Sequence, residues 1–277
     1  MFHYWPPGNH ITNKICGGKM MEINILLAPM MMMLILWFGL PEIVHKPMEY
    51  FHVASLFIVL GGSFFALILG SKFSNLMAFL KCLSFIAFPP KTMAAKDYIK
   101  IITDLARITK TKGKAALVSE AEKIKDPFLR YGIQLVVDKA GEEFIRAALY
   151  NNIEEMSERH MTIITLYKNS AVAAPICGMV GTIVGLIQVL KNMADPSNLG
   201  AAMALGLIAT FYGGFFSGMV FGPIAQKLKI LNDDEAALKR MLTEGILFIE
   251  KEEIPLKVEK YLMSYLSFNS VGAKKGK

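Results

Sequence analysis

Residues 174–187 read Ala174-Pro175-Ile176-Cys177-Gly178-Met179-Val180-Gly181-Thr182-Ile183-Val184-Gly185-Leu186-Ile187. The stretch holds no Asp, Glu, Lys, Arg or His, and it lies in an apolar run from about Ser170 to Leu190. A helix needs roughly 20 mostly apolar residues to cross a bilayer core, so this run predicts a membrane span. A second run, from about Leu199 to Ala225, lacks the same five residue types. The link between them, Lys191 to Asn198, breaks at Asp195-Pro196 and is too short for a domain, so the two runs form a membrane hairpin. Two earlier runs, Ile23 to Leu40 and Phe51 to Gly70, predict another hairpin, joined by a mixed-charge connection with Pro41 and Pro47.

Composition agrees. Of 277 residues 53% are hydrophobic and only 19% charged, where a soluble domain carries about 25% charged. The formal charge is +7. Basic chains can bind nucleic acid, but no binding motif accompanies the lysines here. They flank the apolar runs instead: Lys72, Lys81 and Lys91 follow span two, Lys168 precedes span three, Lys227 and Lys229 follow span four. The positive-inside rule then puts the loop of residues 71–169, the C-terminal tail and the N-terminus in the cytoplasm. Cys16, Cys82 and Cys177 are scattered, with neither a CxxC nor a histidine at ligand spacing, which supports no disulfide framework and no zinc site. There is no nucleophile with a base and no phosphate loop, so the chain does not read as an enzyme, and no cofactor is expected.

The expected organisation is a disordered lead or mis-called start over residues 1–20, hairpin one over 21–70, a cytoplasmic helical domain over 71–169, hairpin two over 170–225, and cytoplasmic helices with a basic tail over 226–277. The lead is no signal peptide, because the apolar block comes too late and lacks a small-residue cleavage site. Residues 72–88 are amphipathic and should lie along the membrane surface until Pro89-Pro90. Ile101, Ile102, Leu105 and Ile108 share helical spacing. Asp126-Pro127 is a helix opening, an acid at the cap with proline behind it. A polar helix from Gly141 should run unbroken into span three, and Pro255 should open a last helix. No strand alternation is visible. The fold class is therefore all-α: a polytopic membrane protein with four transmembrane helices and a helical cytoplasmic domain.

Ionisable groups inside membranes mark ion pathways. Spans three and four have none, so the chain either transports nothing or needs a partner helix bearing the acid. Small residues recur at three- and four-residue steps in both: Ala171, Ala174, Gly178, Gly181 and Gly185, then Ala202, Gly206, Ala209, Gly213 and Ser217. Such seams let helix backbones approach closely. They either pack the two spans together or, being long, also admit a further helix. Pro175 and Pro223 either are tolerated kinks or shape the ends of their spans. Thr182 lies seven residues after Pro175 on one face, and Thr210 adjoins the seam at Gly206 and Ala209. Their hydroxyls either bond the carbonyl one turn back or, with carbonyls freed by Pro175, offer oxygen ligands to a hard cation such as sodium.

These residues carry a resemblance. Residues 174–187, the link with Asp195-Pro196, Ala209-Thr210-Phe211-Tyr212-Gly213 and Phe221-Gly222-Pro223-Ile224-Ala225-Gln226-Lys227-Leu228 resemble spans three and four of the MotA/PomA flagellar stator A subunits. Asp126-Pro127-Phe128-Leu129 and Gln134-Leu135-Val136-Val137-Asp138 are similar to their cytoplasmic loop. TolQ and ExbB, in the same superfamily, have three spans, so two hairpins favour the flagellar branch. The resemblance implies a homo-pentamer in the bacterial inner membrane around a dimer of MotB/PomB-like B subunits. The B subunit would bring a transmembrane Asp and a peptidoglycan-binding domain, and ion flow would drive the rotor C-ring. It implies an ion path along Pro175, Thr182 and Thr210, with helix-end coupling at Pro175 and Pro223. Sodium-driven relatives carry threonine at both matching positions, whereas proton-driven ones tend to alanine at that of Thr182, which favours sodium over protons. In the family a basic residue three before a loop glycine and an acid five after it meet the rotor. Here these positions are Lys110, Gly113 and Val118, leaving Lys110, Lys112 and Glu120 as candidate rotor contacts, with Glu122 nearby. Two alternatives remain: a TolQ/ExbB-like energiser of another envelope or gliding machine, and a non-conducting membrane scaffold.

Overall fold

The computed structural model describes Met31 and residues 51–87, 93–193 and 196–266. These residues are helical and turn throughout, with no strand among them. The expected lead, the first span apart from Met31, the connection over 41–49, Pro89-Pro90 and the tail from 267 lie outside the described residues. Among the described residues three helices are long and apolar enough to cross a membrane: Val53–Gly70, Glu142–Lys191 and Leu199–Glu250.

We label the helices α1 (Val53–Gly70), α2 (Phe73–Ala87), α3 (Ala95–Lys112), α4 (Leu117–Ala121), α5 (Pro127–Val137), α6 (Glu142–Lys191), α7 (Pro196–Phe215), α8 (Gly222–Glu250) and α9 (Pro255–Met263). A π turn, Phe57–Gly61, interrupts α1, and another, Phe216–Phe221, joins α7 to α8. The described residues form two compact units, one of 93–158 and 232–266, the other of 51–87, 159–193 and 196–231.

In the first unit α3 buries Ile99, Ile102, Leu105 and Ala106 against Leu129 and Ile133 of α5, Ile145 and Leu149 of α6, Leu242 and Ile246 of α8, and Leu262 of α9. The expected stripe is off in phase. Ile101 and Ile108 are only partly buried, and Ile99 and Ala106 take their places, because the buried arc is centred on the line from Ile99 through Ile102 to Ala106. Each large apolar side chain buried this way contributes about 1.5–3 kcal/mol relative to exposure. Asp126 caps α5, accepting from the Leu129 amide at 2.9 Å with Pro127 behind it, as its sequence predicts. The same carboxylate accepts from the Tyr98 hydroxyl at 2.8 Å. Burial and that acid hold the Tyr98 phenol well above its ordinary range. Gly113 ends α3 at φ +78, a left-handed conformation that favours glycine.

In the second unit α2 lays Leu76 and Phe79 on Leu67, Ile164 and Tyr167. The Tyr167 hydroxyl donates to the Phe79 carbonyl at 2.8 Å, and the two rings stack 4.1 Å apart. Phe73, Met77 and Leu80 stay exposed on the other side of α2. The spans of this unit hold the candidate site.

Candidate functional site: the hairpin of spans three and four

The two small-residue seams face each other. A Cβ on Gly178 would come 2.8 Å from the Ala209 carbonyl oxygen, and one on Gly213 would come 2.9 Å from that of Ala174. At Gly185 the nearest atoms would be the Ala202 oxygen and the Gly206 nitrogen, each at 2.8 Å. At Gly181 it would overlap the Ala209 methyl. The helices therefore meet backbone to backbone, the contact that drives association where lipid supplies no hydrophobic force. Both seams are consumed in this pairing. The outward face of α6 is instead a row of exposed large side chains, Val172, Ile176, Met179, Ile183, Leu186 and Leu190.

Close approach brings Thr182 and Thr210 together. Their hydroxyls are hydrogen-bonded to each other. Thr182 also donates to the Gly178 carbonyl one turn back (3.1 Å) and reaches the Gly206 carbonyl across the seam (3.3 Å). Thr210 reaches the same Gly206 carbonyl, one turn back on its own helix, at 3.3 Å. Four oxygens from two helices thus converge. Thr182 is half-buried and Thr210 exposed, so the cluster opens to one side of the pair. Gly214 and Gly218 are exposed on α7 and its π turn, and a Cβ on either would meet nothing within 4 Å. Each hydroxyl lies within reach of the carbonyl one turn back and of the cross-helix cluster.

Pro175 sits inside α6 without ending it. Lacking an N–H, it leaves the Ala171 carbonyl without its helical donor. That carbonyl has another donor, since Ser217 donates to it at 2.6 Å. The orphan made by Pro175 is satisfied by the π turn of the partner helix. Pro223, exposed at the second residue of α8, follows that π turn directly. The Gly222 amide reaches back five residues to the Ser217 carbonyl, so the wider turn absorbs the change of register before the proline.

In the first unit, the three candidate contacts have separate fates. Lys110 donates to the Glu252 carbonyl at 2.9 Å, capping the end of α8. Glu120 pairs with Lys123 at 2.8 Å on the surface. Lys112 is exposed beside Gly113. Lys114, outside the candidates, pairs with Glu250 at 2.8 Å with only 21% and 13% of the two side chains exposed. Lys110 and Lys114 therefore tie the end of α3 to the end of α8 and the residues that follow it. The sequence signal for this is faint: both lysines lie within three residues of the helix-ending Gly113.

Residues 120–241 match a family model described as the MotA/TolQ/ExbB proton channel family. Motility protein A of Borreliella burgdorferi is 38% identical over 218 residues, 79% of this chain and 84% of that protein. Chemotaxis protein PomA of Vibrio alginolyticus is 36% identical over 215 residues, 78% of this chain and 84% of that one. The flagellar MotAB stator complex from Bacillus subtilis contains a chain of the same fold, with a TM-score of 0.80 at 24% identity over 89% of this chain and 96% of that chain. A chain in the structure of C. jejuni MotAB gives 0.79 at 23% identity, over 91% and 97%. The seam pairing, the extent of the sequence match and the shared fold lead to one conclusion: the chain belongs to the MotA/TolQ/ExbB proton channel family, whose members are channel-type stator proteins and not enzymes.

Proposed function

We propose that the chain is the A subunit of an ion-driven flagellar stator in the bacterial inner membrane. The observation that carries this is the oxygen cluster of Thr182, Thr210, Gly178 and Gly206 in a hairpin whose spans contain no acid or base. Such a hairpin can pass an ion only beside a carboxylate brought by another helix. The relatives' names and the MotAB complexes support a MotB/PomB-like B subunit as its source. The open flank of Thr210, Gly214 and Gly218 suits a close helix.

In this reading five copies ring a dimer of B subunits, both termini and residues 71–169 are cytoplasmic, and passage past the B-subunit Asp turns the ring against the rotor. Pro175 and Pro223 shape the span ends that move. Lys112, exposed beside Gly113, meets the rotor together with Lys110 and Glu120. Sodium is the coupling ion. A dehydrated sodium ion needs several oxygen ligands, which hydroxyls, carbonyls and a carboxylate together supply, whereas a proton needs none of them.

Rotation speed at fixed membrane potential tests this as external sodium is varied. Speed should saturate with sodium, and Thr182→Ala should raise the sodium required or abolish rotation. Unchanged speed in sodium-free medium would remove sodium. Failure of the chain to copurify with a single-span, Asp-bearing product of a neighbouring gene would remove the stator reading itself.

A further inference from the structure

Span two has had no part in the site, yet its first turn holds a buried hydroxyl aimed at the helix that carries it. Ser55 of α1 is 0% exposed. Its Oγ donates to the Leu205 carbonyl of α7 at 2.8 Å. The His52 ring caps α1, its Nδ1 lying 3.2 Å from the Ser55 amide and 3.0 Å from the same Oγ. The His52 amide donates to the Tyr212 hydroxyl at 3.3 Å. Leu205 and Tyr212 lie two turns apart on α7, so α1 is fastened on both sides of the turn from Gly206 to Thr210.

Leu205 directly precedes Gly206, the residue whose carbonyl receives both threonine hydroxyls. Successive residues of a helix are turned by about 100°, so Leu205 can face α1 while Gly206 faces α6. The Leu205 carbonyl and the Gly206 amide belong to one planar peptide unit. A hydrogen bond that holds the first restrains the second, and through the helical backbone of Gly206 it restrains the Gly206 carbonyl of the next peptide unit. Packing agrees, because Val59 of α1 is buried with Ala174 and Ala209, and a Cβ on Gly181 would come 3.6 Å from the Ile58 Cγ2.

We propose that Ser55 is a positioning residue for ion selection: through the Leu205 carbonyl it holds the Gly206 segment where Gly206, Thr182 and Thr210 can ligate one ion together. This rests on the reading of the threonine pair as the ion path. The hydroxyl touches no ion itself. It sets the spacing of those that do.

The test measures rotation speed against external sodium in cells at fixed membrane potential. Ser55→Ala should raise half-saturating sodium by about two- to tenfold, the effect of one net hydrogen bond. Maximum speed and membrane abundance should hold. Ser55→Cys, similar in volume but a weaker donor, should fall between. A serine that only packs would lower abundance or maximum speed at unchanged half-saturation, and that result overturns the proposal. If Thr182→Ala shifts half-saturation and Ser55→Ala does not, Ser55 loses its role while the threonine reading stands. If the unsubstituted motor ignores sodium, both fall. Should Ser55→Ala fail to reach the membrane, Ser55→Cys must show the shift by itself.

Discussion

Removing the Ser217 hydroxyl should cost more than its size suggests, because Pro175 has already taken the alternative donor away. In Ser217→Ala the Ala171 carbonyl loses its 2.6 Å bond and has no N–H at position 175 to fall back on. An unpaired carbonyl costs about 1–3 kcal/mol when fully buried and less at this half-buried contact, and interhelical bonds in membranes are worth about 0.6 on average and up to about 1.7. The short distance favours the upper part of that range, so about 1.5 kcal/mol is expected. Pro175→Ala restores the amide donor within α6. In that background Ser217→Ala should cost no more than about 0.5 kcal/mol, leaving a coupling of about 1 kcal/mol between the two sites. Reversible unfolding of the detergent-solubilised protein, followed by circular dichroism as denaturing detergent is titrated in, measures all four corners of the cycle. An equal cost for Ser217→Ala in both backgrounds would refute the reasoning, since it would mean that Ser217 does not answer for the carbonyl orphaned by Pro175.

Other predictions concern the seam, the ends of the spans, the corner of the first unit and the topology. Gly185→Ala should push α6 and α7 apart, since every nearby atom is backbone, and destabilise by about 1–3 kcal/mol; Gly200→Ala, with open space around it, should change the same unfolding curve little. Pro175→Ala and Pro223→Ala should each stop rotation while the protein stays in the membrane at normal abundance, read by immunoblot beside tracked cells. Lys114→Met should cost about 1–3 kcal/mol, between the limits for exposed and broken buried pairs, because one Glu250 oxygen is already buried without a partner; Glu250→Gln should recover most of it in chemical denaturation. A cysteine at position 120 in an otherwise cysteine-free chain should resist an impermeant thiol reagent in intact cells, and labelling there would overturn the orientation.

Features encoded within a few residues were legible. Asp126-Pro127 opens α5, Pro255 opens α9 and the helix from residue 142 runs through to Lys191, since caps and breakers act locally. The contact of Thr182 with Thr210 was not read from the sequence, which marked each hydroxyl only on its own helix; the pairing of the two seams brings them together. Ser55 and Ser217 were not legible as donors, because their acceptors lie 150 and 46 residues away and only packing selects them. The phase of α3 was missed because Ile99, Ile101, Ile102, Leu105, Ala106 and Ile108 leave two arcs apolar, and the neighbours choose between them. Nor does composition announce the π turns, although the second stands just before Pro223, where the α ladder would lack a donor.

That second π turn also bears on how this chain can change length. Deleting one residue from an α-helix swings everything after it by about 100° and draws it in by about 1.5 Å. Within α7 such a deletion would carry Ala209 and Gly213 off the seam. Residues 216–221 already hold a surplus residue in a widened turn, so a deletion there collapses π into α and leaves Ala225 and Leu228 pointing into their cluster. The turn is thus a slack link, the place where one codon can be lost in descent while the threonines and the seam keep their faces.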